Sequence, residues 1–288
     1  MTDYIQYIAE LLQTGFAART LIAGTLVAVC SALLGLSLVL KRCSMIGDGL
    51  SHAGFGAMGI AVALGAASPL AVSIPLVLTA AFFLLKISGG SSVGGDAPIE
   101  MVSAGSLAVG VVMLSRTAGN ADLKSFMFGS ILAVAPNDFL ISVLTSSVVL
   151  VLYILFFNRA FAVTFDEDFS KATGTKAGLY RSALAALTAV VIVMGMRIMG
   201  AMLISGLIVF PALTAMRVFG GFRKVAVCAA VTAAVCFNAG IILSYVYDRV
   251  NNTNTPAGAS VVLMNVAAYA AFWCFGKIKR RLRRPTTL

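Results

Sequence analysis

Two ionisable side chains in an apolar stretch are the residues of this chain best suited to chemistry. Asp48 and His52, the only histidine in the sequence, stand four residues apart, so on a helix they share one face. Ionisable residues inside a membrane span are costly and usually face an interior or aqueous path. A carboxylate with an imidazole suits Zn, Mn, Fe or similar ions, and two ligands leave positions open for exchange. The alternative is a structural Asp–His hydrogen bond near the membrane surface, because Lys41 and Arg42 are close by.

Other candidate ligands and nucleophiles are weaker. The spacing of Met196, Met199 and Met202 allows soft copper ligands but favours an ordinary lipid-facing or core stripe. The five cysteines contain no CxxC pair and are interpreted as small packing residues. No GxxxxGK[ST] phosphate loop, HExxH pair or serine–histidine arrangement occurs. We therefore expect no enzyme activity and no ATP hydrolysis by this chain itself.

The elements that carry these residues are membrane helices. The chain of 288 residues is 60% hydrophobic and 11% charged, whereas soluble domains carry about 25% charged residues. Its apolar blocks have the roughly 20-residue length that a bilayer core requires. The prediction is an all-α, polytopic transmembrane bundle of about eight to nine spans in a single domain, 1–288. The predicted spans are 19–40, 47–65, 69–87, 98–115, 138–157, 180–197, 200–216, 224–247 and 258–276.

The basic residues predict the orientation of these spans. If Lys41-Arg42, Lys86, 159–181, 217–224 and the basic tail from Lys277 face the cytoplasm, that side holds sixteen of the 21 Lys and Arg residues. Such a bias is typical of cytoplasmic loops. The net charge of +10 therefore indicates topology and not nucleic-acid binding. We expect a multi-pass protein of a bacterial-type cytoplasmic membrane, with its C-terminus in the cytoplasm.

Four segments depart from plain spans. Residues 1–18 are amphipathic and predict a helix lying at the membrane surface. Residues 121–138 are apolar but too short to span before Pro136, and 200–216 form a short span containing glycines and a proline. In the loop 158–180, acids precede Lys171 and Gly174, which is the charge order and C-terminal cap of a short helix, 166–177. An ordered connector is the alternative for this segment.

Three stretches resemble one family of membrane permeases. Lys41-Arg-Cys-Ser-Met-Ile-Gly-Asp-Gly-Leu-Ser-His-Ala53 is similar to R-R-x-S-x-x-G-D-A-L-S-H-A, and Ser125-Phe-Met-Phe-Gly-Ser-Ile-Leu-Ala-Val134 to S-Y-L-F-G-D-I-L-A-V. Phe165 to Gly174, followed by Arg197 to Ala215, looks like the second half of the same family. These patterns are those of the zinc/manganese/iron permeases of ATP-binding cassette (ABC) importers, and the resemblance covers nearly the whole chain.

The resemblance implies an assembly and roles for named residues. It implies a type II ABC importer-like fold and two permease chains, identical or different, around a central path. Two ATPase subunits would hydrolyse ATP below them, and an extracytoplasmic metal-binding protein would deliver the ion. No cofactor would be bound permanently, because the metal is cargo. Asp48 and His52 match the metal positions of the path. The short helix would be the coupling helix seated in the ATPase, with contacts from Asp166, Glu167, Phe169, Ala172 and Gly174.

The sequence departs from the family pattern at two positions, and two other functions are considered as alternatives. Gly49 replaces the usual Ala, which should be harmless, and Ser130 replaces the usual Asp, which removes a carboxylate from the 125–134 segment. A stand-alone secondary metal transporter would need several buried acids, and Asp48 and Asp138 are the candidates. An intramembrane enzyme would need a second histidine.

Exposed basic residues near the outer loops are weaker candidates for docking the metal-binding protein. Arg116, Lys124, Arg197 and Arg249 lie there in the predicted topology. They either steer a partner that carries carboxylates or anchor the span ends at the interface. Arg249 and Arg116 are the best docking candidates, and Arg197 is favoured as an anchor.

Overall fold

A computed structural model describes residues 15–41, 45–66, 69–88, 96–117, 136–251, 253 and 255–282, and the described chain is helical without a β-strand. Most of the predicted surface helix 1–18 and nearly all of the 121–138 segment, with Lys124 and Ser130, lie outside these ranges. Within the described ranges there are ten helices: α1 (Gly15–Leu40), α2 (Met45–Ala63), α3 (Pro69–Ser88), α4 (Asp96–Thr117), α5 (Pro136–Phe165), α6 (Glu167–Ala172), α7 (Ala177–Met199), α8 (Ala201–Met216), α9 (Phe222–Asn251) and α10 (Ala257–Leu282).

Six of the described helices are long and apolar enough to cross a membrane: α1, α4, α5, α7, α9 and α10. The helices α3 and α8 are apolar but shorter. The helix α2 has the length of a span, but Asp48 and His52 lower its hydropathy. Length and composition thus establish a multi-pass membrane protein with six candidate spans, fewer than the eight to nine predicted.

The helices alternate in direction along the chain. Two contacts give the direction of α2 and α4: Gly49 approaches Ile99 and Gly56 approaches Ser106, so these two helices run parallel. The helix α3, which joins them in the chain, runs antiparallel to α2, because its start lies near Met58 and its end near Gly49. Among the six candidate spans, α1 and α7 are the most buried, whereas α4, α5 and α10 expose most of their surface. Most residues of α2 are buried as well. We call one end of the bundle the basic end. Its exposed or half-buried cations are Lys41, Arg159, Lys171, Lys176, Arg181, Arg217, Arg223, Lys224 and Lys277.

The helix α5 extends eight residues beyond the predicted end of its span at residue 157. Three phenylalanines on successive turns, Phe157, Phe161 and Phe165, each contact the ring of Phe222, with centroid distances of 5.0, 4.9 and 6.1 Å. Aromatic pairs at such distances add to the burial of their area. Packing against α9, from a distant part of the sequence, therefore keeps two further turns of α5 helical.

Glycines allow a close crossing between α2 and α4. A Cβ atom at Gly56 would lie 2.6 Å from the backbone oxygen of Ser106, and one at Gly59 would lie 2.9 Å from the Cα of Gly110. Backbones so close exclude any side chain, which is the usual role of small residues between membrane helices.

We therefore expect Gly56→Ala to destabilise the protein by about 1–3 kcal/mol, since the backbone of α4 has to move. Gly105→Ala, on the exposed side of α4 with open space around it, is the matched control and should be neutral or stabilising, because alanine is the better helix former. Thermal unfolding of both variants in detergent measures the difference. Equal midpoints would contradict the role assigned to this crossing.

Candidate metal site and coupling helix

Asp48 and His52 lie together on one face of α2. The distance from His52 Nε2 to Asp48 Oδ2 is 3.6 Å, and both side chains are partly exposed. That distance is too long for a hydrogen bond, and His52 Nδ1 is buried without a hydrogen-bond partner among the described residues. One ion with ligand bonds of about 2.0–2.2 Å reaches donor atoms up to about 4 Å apart. The geometry suits two ligands of one ion better than a structural Asp–His hydrogen bond.

The pair opens onto a cavity of about 180 Å³ whose far wall is the start of α8. Ala201, Met202 and Ser205 form that wall, and Phe55 and Leu107 complete the lining. The start of α8 reaches this place because Gly200 joins it directly to α7 with φ of 84°, a left-handed conformation that favours glycine. The short, glycine-containing segment predicted at 200–216 thus contributes a wall of the cavity.

The site lies within the depth of the bundle and not at its basic end. Gly47, next to Asp48, lies at the level of Ile208 in the middle of α8, since a Cβ at Gly47 would be 3.0 Å from the Ile208 side chain. Gly35 of α1 lies at the same level, since a Cβ there would be 2.0 Å from the backbone oxygen of Ile208. The chain continues from Gly35 through the last turns of α1 to Lys41, which pairs with Glu167 beyond the end of α5. Asp48 is therefore separated from the basic end by about two helical turns of α1, roughly 9 Å at 1.5 Å per residue.

The donor set here is small. No group of three or more His, Cys, Asp or Glu side chains is close enough to hold a metal within the described ranges. Asp48 and His52 thus offer two ligands, and the remaining positions of an ion would be filled by water or another chain. Met202 is half exposed in the cavity wall, whereas Met196 and Met199 are fully buried core residues. The predicted methionine stripe accordingly does not extend to Met202.

Gly49, beside the acidic ligand, has a packing role. A Cβ at this position would lie 2.9 Å from the Cγ2 atom of Ile99 on α4. The alanine usual in the family pattern would here require the Ile99 side chain to shift. The helix α2 therefore approaches α4 closely next to Asp48.

The short helix α6 is capped at both ends by its own sequence. Asp166 is the N-cap, and its Oδ1 accepts a hydrogen bond of 2.8 Å from the backbone N–H of Phe169. Thr173 is the C-cap, and Gly174 follows with φ of 81°, the usual end of a helix. The helix therefore spans Glu167–Ala172 and is shorter than the predicted 166–177, since the glycine turn stops it before α7.

Glu167 contacts three cations, of which Lys41 and Arg181 tie α6 to the bundle and Lys171 belongs to α6 itself. Its carboxylate lies 3.4 Å from Lys41 Nζ, 3.3 Å from Lys171 Nζ and 3.7 Å from Arg181 Nη1. Partial burial raises the pKa of Glu167, but the three cations outweigh it and hold the pKa below its ordinary value. A lowered pKa means that these contacts stabilise the fold above the ordinary pKa and weaken only as the pH falls through the lowered one. The anchor is thus intact at neutral pH.

The opposite surface of α6 takes no part in the contacts of Glu167 with Lys41 and Arg181. Phe169 is 65% exposed, and Ala172 and Asp168 are also exposed. Phe169 is the large apolar side chain that this helix exposes. Of the predicted contact residues, Phe169 and Ala172 face outward, Glu167 faces the bundle, and Asp166 and Gly174 shape the helix ends.

The three outer arginines differ in their surroundings. Arg116 is exposed at the end of α4. Arg249, at the end of α9, lies over the ring of Tyr245 at 5.7 Å. Arg197 Nη2 is 3.0 Å from Asp138 Oδ1, and this pair joins the end of α7 to the start of α5. Arg197 is therefore engaged inside the bundle.

Sequence reasoning missed two groups of residues that the fold brings to these sites. The first is the cavity wall from α4 and α8, which no spacing in the sequence connects to Asp48. The second is Lys41 and Arg181, which anchor α6; Lys41 is 126 residues from Glu167. A charge-complementary pair at such a separation leaves no local signal in the sequence.

Known proteins share this architecture over almost the whole chain. "Manganese import system permease protein ScaB" of Streptococcus gordonii is 26% identical over 97% of this chain and 98% of its own length. "High-affinity zinc uptake system membrane protein ZnuB" of Buchnera aphidicola is 29% identical over 84% of this chain and 90% of its own. A solved structure, "PsaBC from Streptococcus pneumoniae in complex with Fab", matches with a TM-score of 0.83 and 26% identity, covering 96% of this chain and 99% of that one.

The family assignment rests on a match over nearly the same range. The model of the ABC 3 transport family matches residues 13–275, a range that contains α1 to α9 completely and most of α10. With 263 of 288 residues matched (275 − 13 + 1), the chain is a member of the ABC 3 transport family.

Proposed function

We propose that this chain is the membrane-spanning permease subunit of an ABC importer that moves divalent transition-metal ions, Mn, Zn or Fe, into the cell. The observation that carries the proposal is the pairing of Asp48 and His52 on a cavity inside the bundle, with donor atoms 3.6 Å apart and unbonded to each other. A carboxylate and an imidazole bind these ions, and an incomplete set of ligands permits release. Membership of the ABC 3 transport family supports the same function.

The proposed topology follows from alternating helix directions and the charge of the two ends. We infer nine crossings, by α1 to α5 and α7 to α10, with α6 lying along one face of the membrane. The basic end carries most of the described cations, and the positive-inside bias supports our inference that this end, with the C-terminus, faces the cytoplasm of a bacterial-type membrane. The less apolar helix α2 and the shorter helices α3 and α8 would cross among the other helices of the bundle, which shield polar groups from lipid.

The proposed assembly has three kinds of partner. A cytoplasmic ATPase would seat α6 through Phe169 and Ala172, which are its exposed apolar residues. A second permease chain, identical or related, would supply further ligands to the ion held by Asp48 and His52. An extracytoplasmic metal-binding protein would deliver the ion at the opposite end. This chain binds no resident cofactor in the proposal, and the partner hydrolyses ATP.

A stand-alone secondary transporter is disfavoured by the surroundings of Asp138. This residue was the second acid available for an ion path, and it is paired with Arg197 at 3.0 Å. A carboxylate neutralised by an arginine is not free to bind a cation. Asp48 alone is left of the two acids considered.

Transport by reconstituted protein tests the proposed function. We expect the chain, purified with its ATPase and placed in proteoliposomes, to take up Mn, Zn or Fe only when ATP and the metal-binding protein are supplied. Competition among the three ions then identifies the cargo, because affinity order by itself does not determine selectivity. Uptake driven by a proton or sodium gradient without the ATPase would contradict the proposal and favour the secondary transporter.

Docking of the metal-binding protein is expected to depend on the exposed arginines of the outer end. Exchanging Arg116 and Arg249 for Glu should slow association about tenfold at low salt, because charged rims act mainly on the association rate. Association kinetics at low and high ionic strength measure the effect, and it should shrink as salt screens the charges. Lys176→Glu, an exposed cation at the basic end, is the control. Unchanged rates at both salt concentrations would leave these arginines with an anchoring role only.

A further inference from the structure

A second large cavity lies far from Asp48, as a groove between α9 and α10 at the basic end. Its volume is about 990 Å³, within the upper range of known ligand sites. Its walls are apolar and include Val227, Val231, Phe272 and Phe275. The lining runs from Arg223 to Thr232 along α9, which is about 13 Å at 1.5 Å per residue. The groove thus extends from the end of the bundle well into its apolar depth.

Two cations stand at the mouth of this groove. Arg223 and Lys224 occupy the first turn of α9 and are exposed. Arg223 donates to a neutral group, the side-chain oxygen of Asn158, at 3.4 Å. None of the described residues that line the groove is acidic. The mouth therefore carries positive charge that no carboxylate in its lining compensates.

Two further cations near the groove have aromatic neighbours. Lys277 lies 4.3 Å from the ring centroid of Trp273, and the Arg217 guanidinium lies 5.2 Å from that of Tyr269. Aromatic rings and long basic side chains at the ends of membrane helices are typical of the level of the lipid headgroups. The mouth of the groove is thus at the height where phosphate groups of the bilayer are found.

We propose that this groove binds an anionic phospholipid of the cytoplasmic leaflet. The phosphate of the headgroup contacts Arg223 and Lys224, and an acyl chain lies between α9 and α10 against Val227, Val231 and Phe272. Basic pockets between membrane helices on the cytoplasmic side select anionic headgroups for this reason. The site is independent of Asp48, His52 and α6.

Other occupants fit the groove less well. In a symmetric pair of chains, each patch meets the same patch of the other copy. The described lining of the groove contains Arg223 and Lys224 but no carboxylate, so a second copy would offer these cations no complementary charge. A cytoplasmic partner does not reach the apolar depth at Val231. A lipid supplies both the negative charge for the mouth and the apolar chain for the walls.

The test compares two lipids that differ in headgroup charge. The full chain is purified with its ATPase partner and loaded with phosphatidylglycerol or phosphatidylcholine of the same chain length, and retained lipid is counted by native mass spectrometry. We expect phosphatidylglycerol to be retained preferentially. The double variant R223Q/K224Q should weaken its retention about tenfold or more, since each cation near the surface contributes to anionic-lipid binding. Val231→Trp, which fills the groove without changing charge, should also reduce retention.

The control removes the same charge elsewhere at the basic end. R159Q/K176Q takes two cations from outside the groove and should retain phosphatidylglycerol as the unmodified chain does. Equal retention of the two lipids, or equal losses in both double variants, would overturn the proposal. A high yield of cross-links between Cys228 thiols of two copies, with the other four cysteines replaced by Ser, would also overturn it by showing that a second chain covers the groove.

Discussion

Asp48→Ala and His52→Ala are each expected to reduce ATP-driven metal uptake by about 100-fold, because loss of a metal ligand costs at least as much as loss of a group that supports one, about 10–100-fold. The two donors lie 3.6 Å apart on a cavity of about 180 Å³, so neither can replace the other. Asp48→Asn keeps the shape but removes the charge, and we expect it to resemble Asp48→Ala. Uptake in proteoliposomes and metal bound to the purified complex are the measurements.

The matched control for this experiment is Ser51→Ala. Ser51 lies on the same helix but is fully buried, donates to the backbone oxygen of Gly47 and does not line the cavity. It should leave uptake close to that of the unmodified chain. All variants must insert in the membrane and purify with the ATPase, which separates a binding defect from misfolding. Wild-type uptake by both alanine variants would disprove the metal role of the pair.

Ser170→Pro in α6 is expected to uncouple ATP hydrolysis from transport or to release the ATPase. The backbone N–H of Ser170 donates to the Asp166 oxygen at 3.1 Å, and proline removes this bond and breaks the helix at a cost of about 3 kcal/mol. The exposed Phe169 would lose its fixed position. Metal bound at Asp48 and His52 should be unchanged, because α6 does not line that cavity.

Gly178→Pro is the control for the proline itself. Gly178 is exposed in the first turn of α7, where proline is tolerated. Co-purification with the ATPase and the ATPase rate with and without metal-binding protein distinguish the two variants. Normal assembly and normally stimulated hydrolysis in Ser170→Pro would assign α6 a purely connecting role.

Glu167 and Phe169 have separate tasks within this helix. Glu167 faces the bundle and meets Lys41, which directly follows α1, and Arg181 of α7. Phe169 faces outward. The same six-residue helix thus presents one face to the proposed ATPase and is anchored by the other to two helices that extend to the depth of the metal pair. In the proposed assembly, a displacement of α6 would act on α1 and α7 through Lys41 and Arg181.

The positions of most membrane helices and the pairing of Asp48 with His52 could be predicted from the sequence because their causes are local. Apolar blocks of spanning length between basic clusters place the helices, since lipid demands an internal partner for every backbone group. The i, i+4 spacing places Asp48 and His52 on one face whatever surrounds them. The end of α5 could not be predicted, because Phe222 of a distant helix determines it.

The sequence by itself determined that this chain is an all-helical membrane protein, that Asp48 and His52 share a helix face, and that a short capped helix lies near Asp166. Only the tertiary structure decided the depth of the pair, because that depends on Ile208 packing against Gly35 and Gly47. It also decided that α8 walls the cavity and that Glu167 meets Lys41. Such contacts join residues more than a hundred positions apart, and their energies depend on distances that arise only when the helices pack.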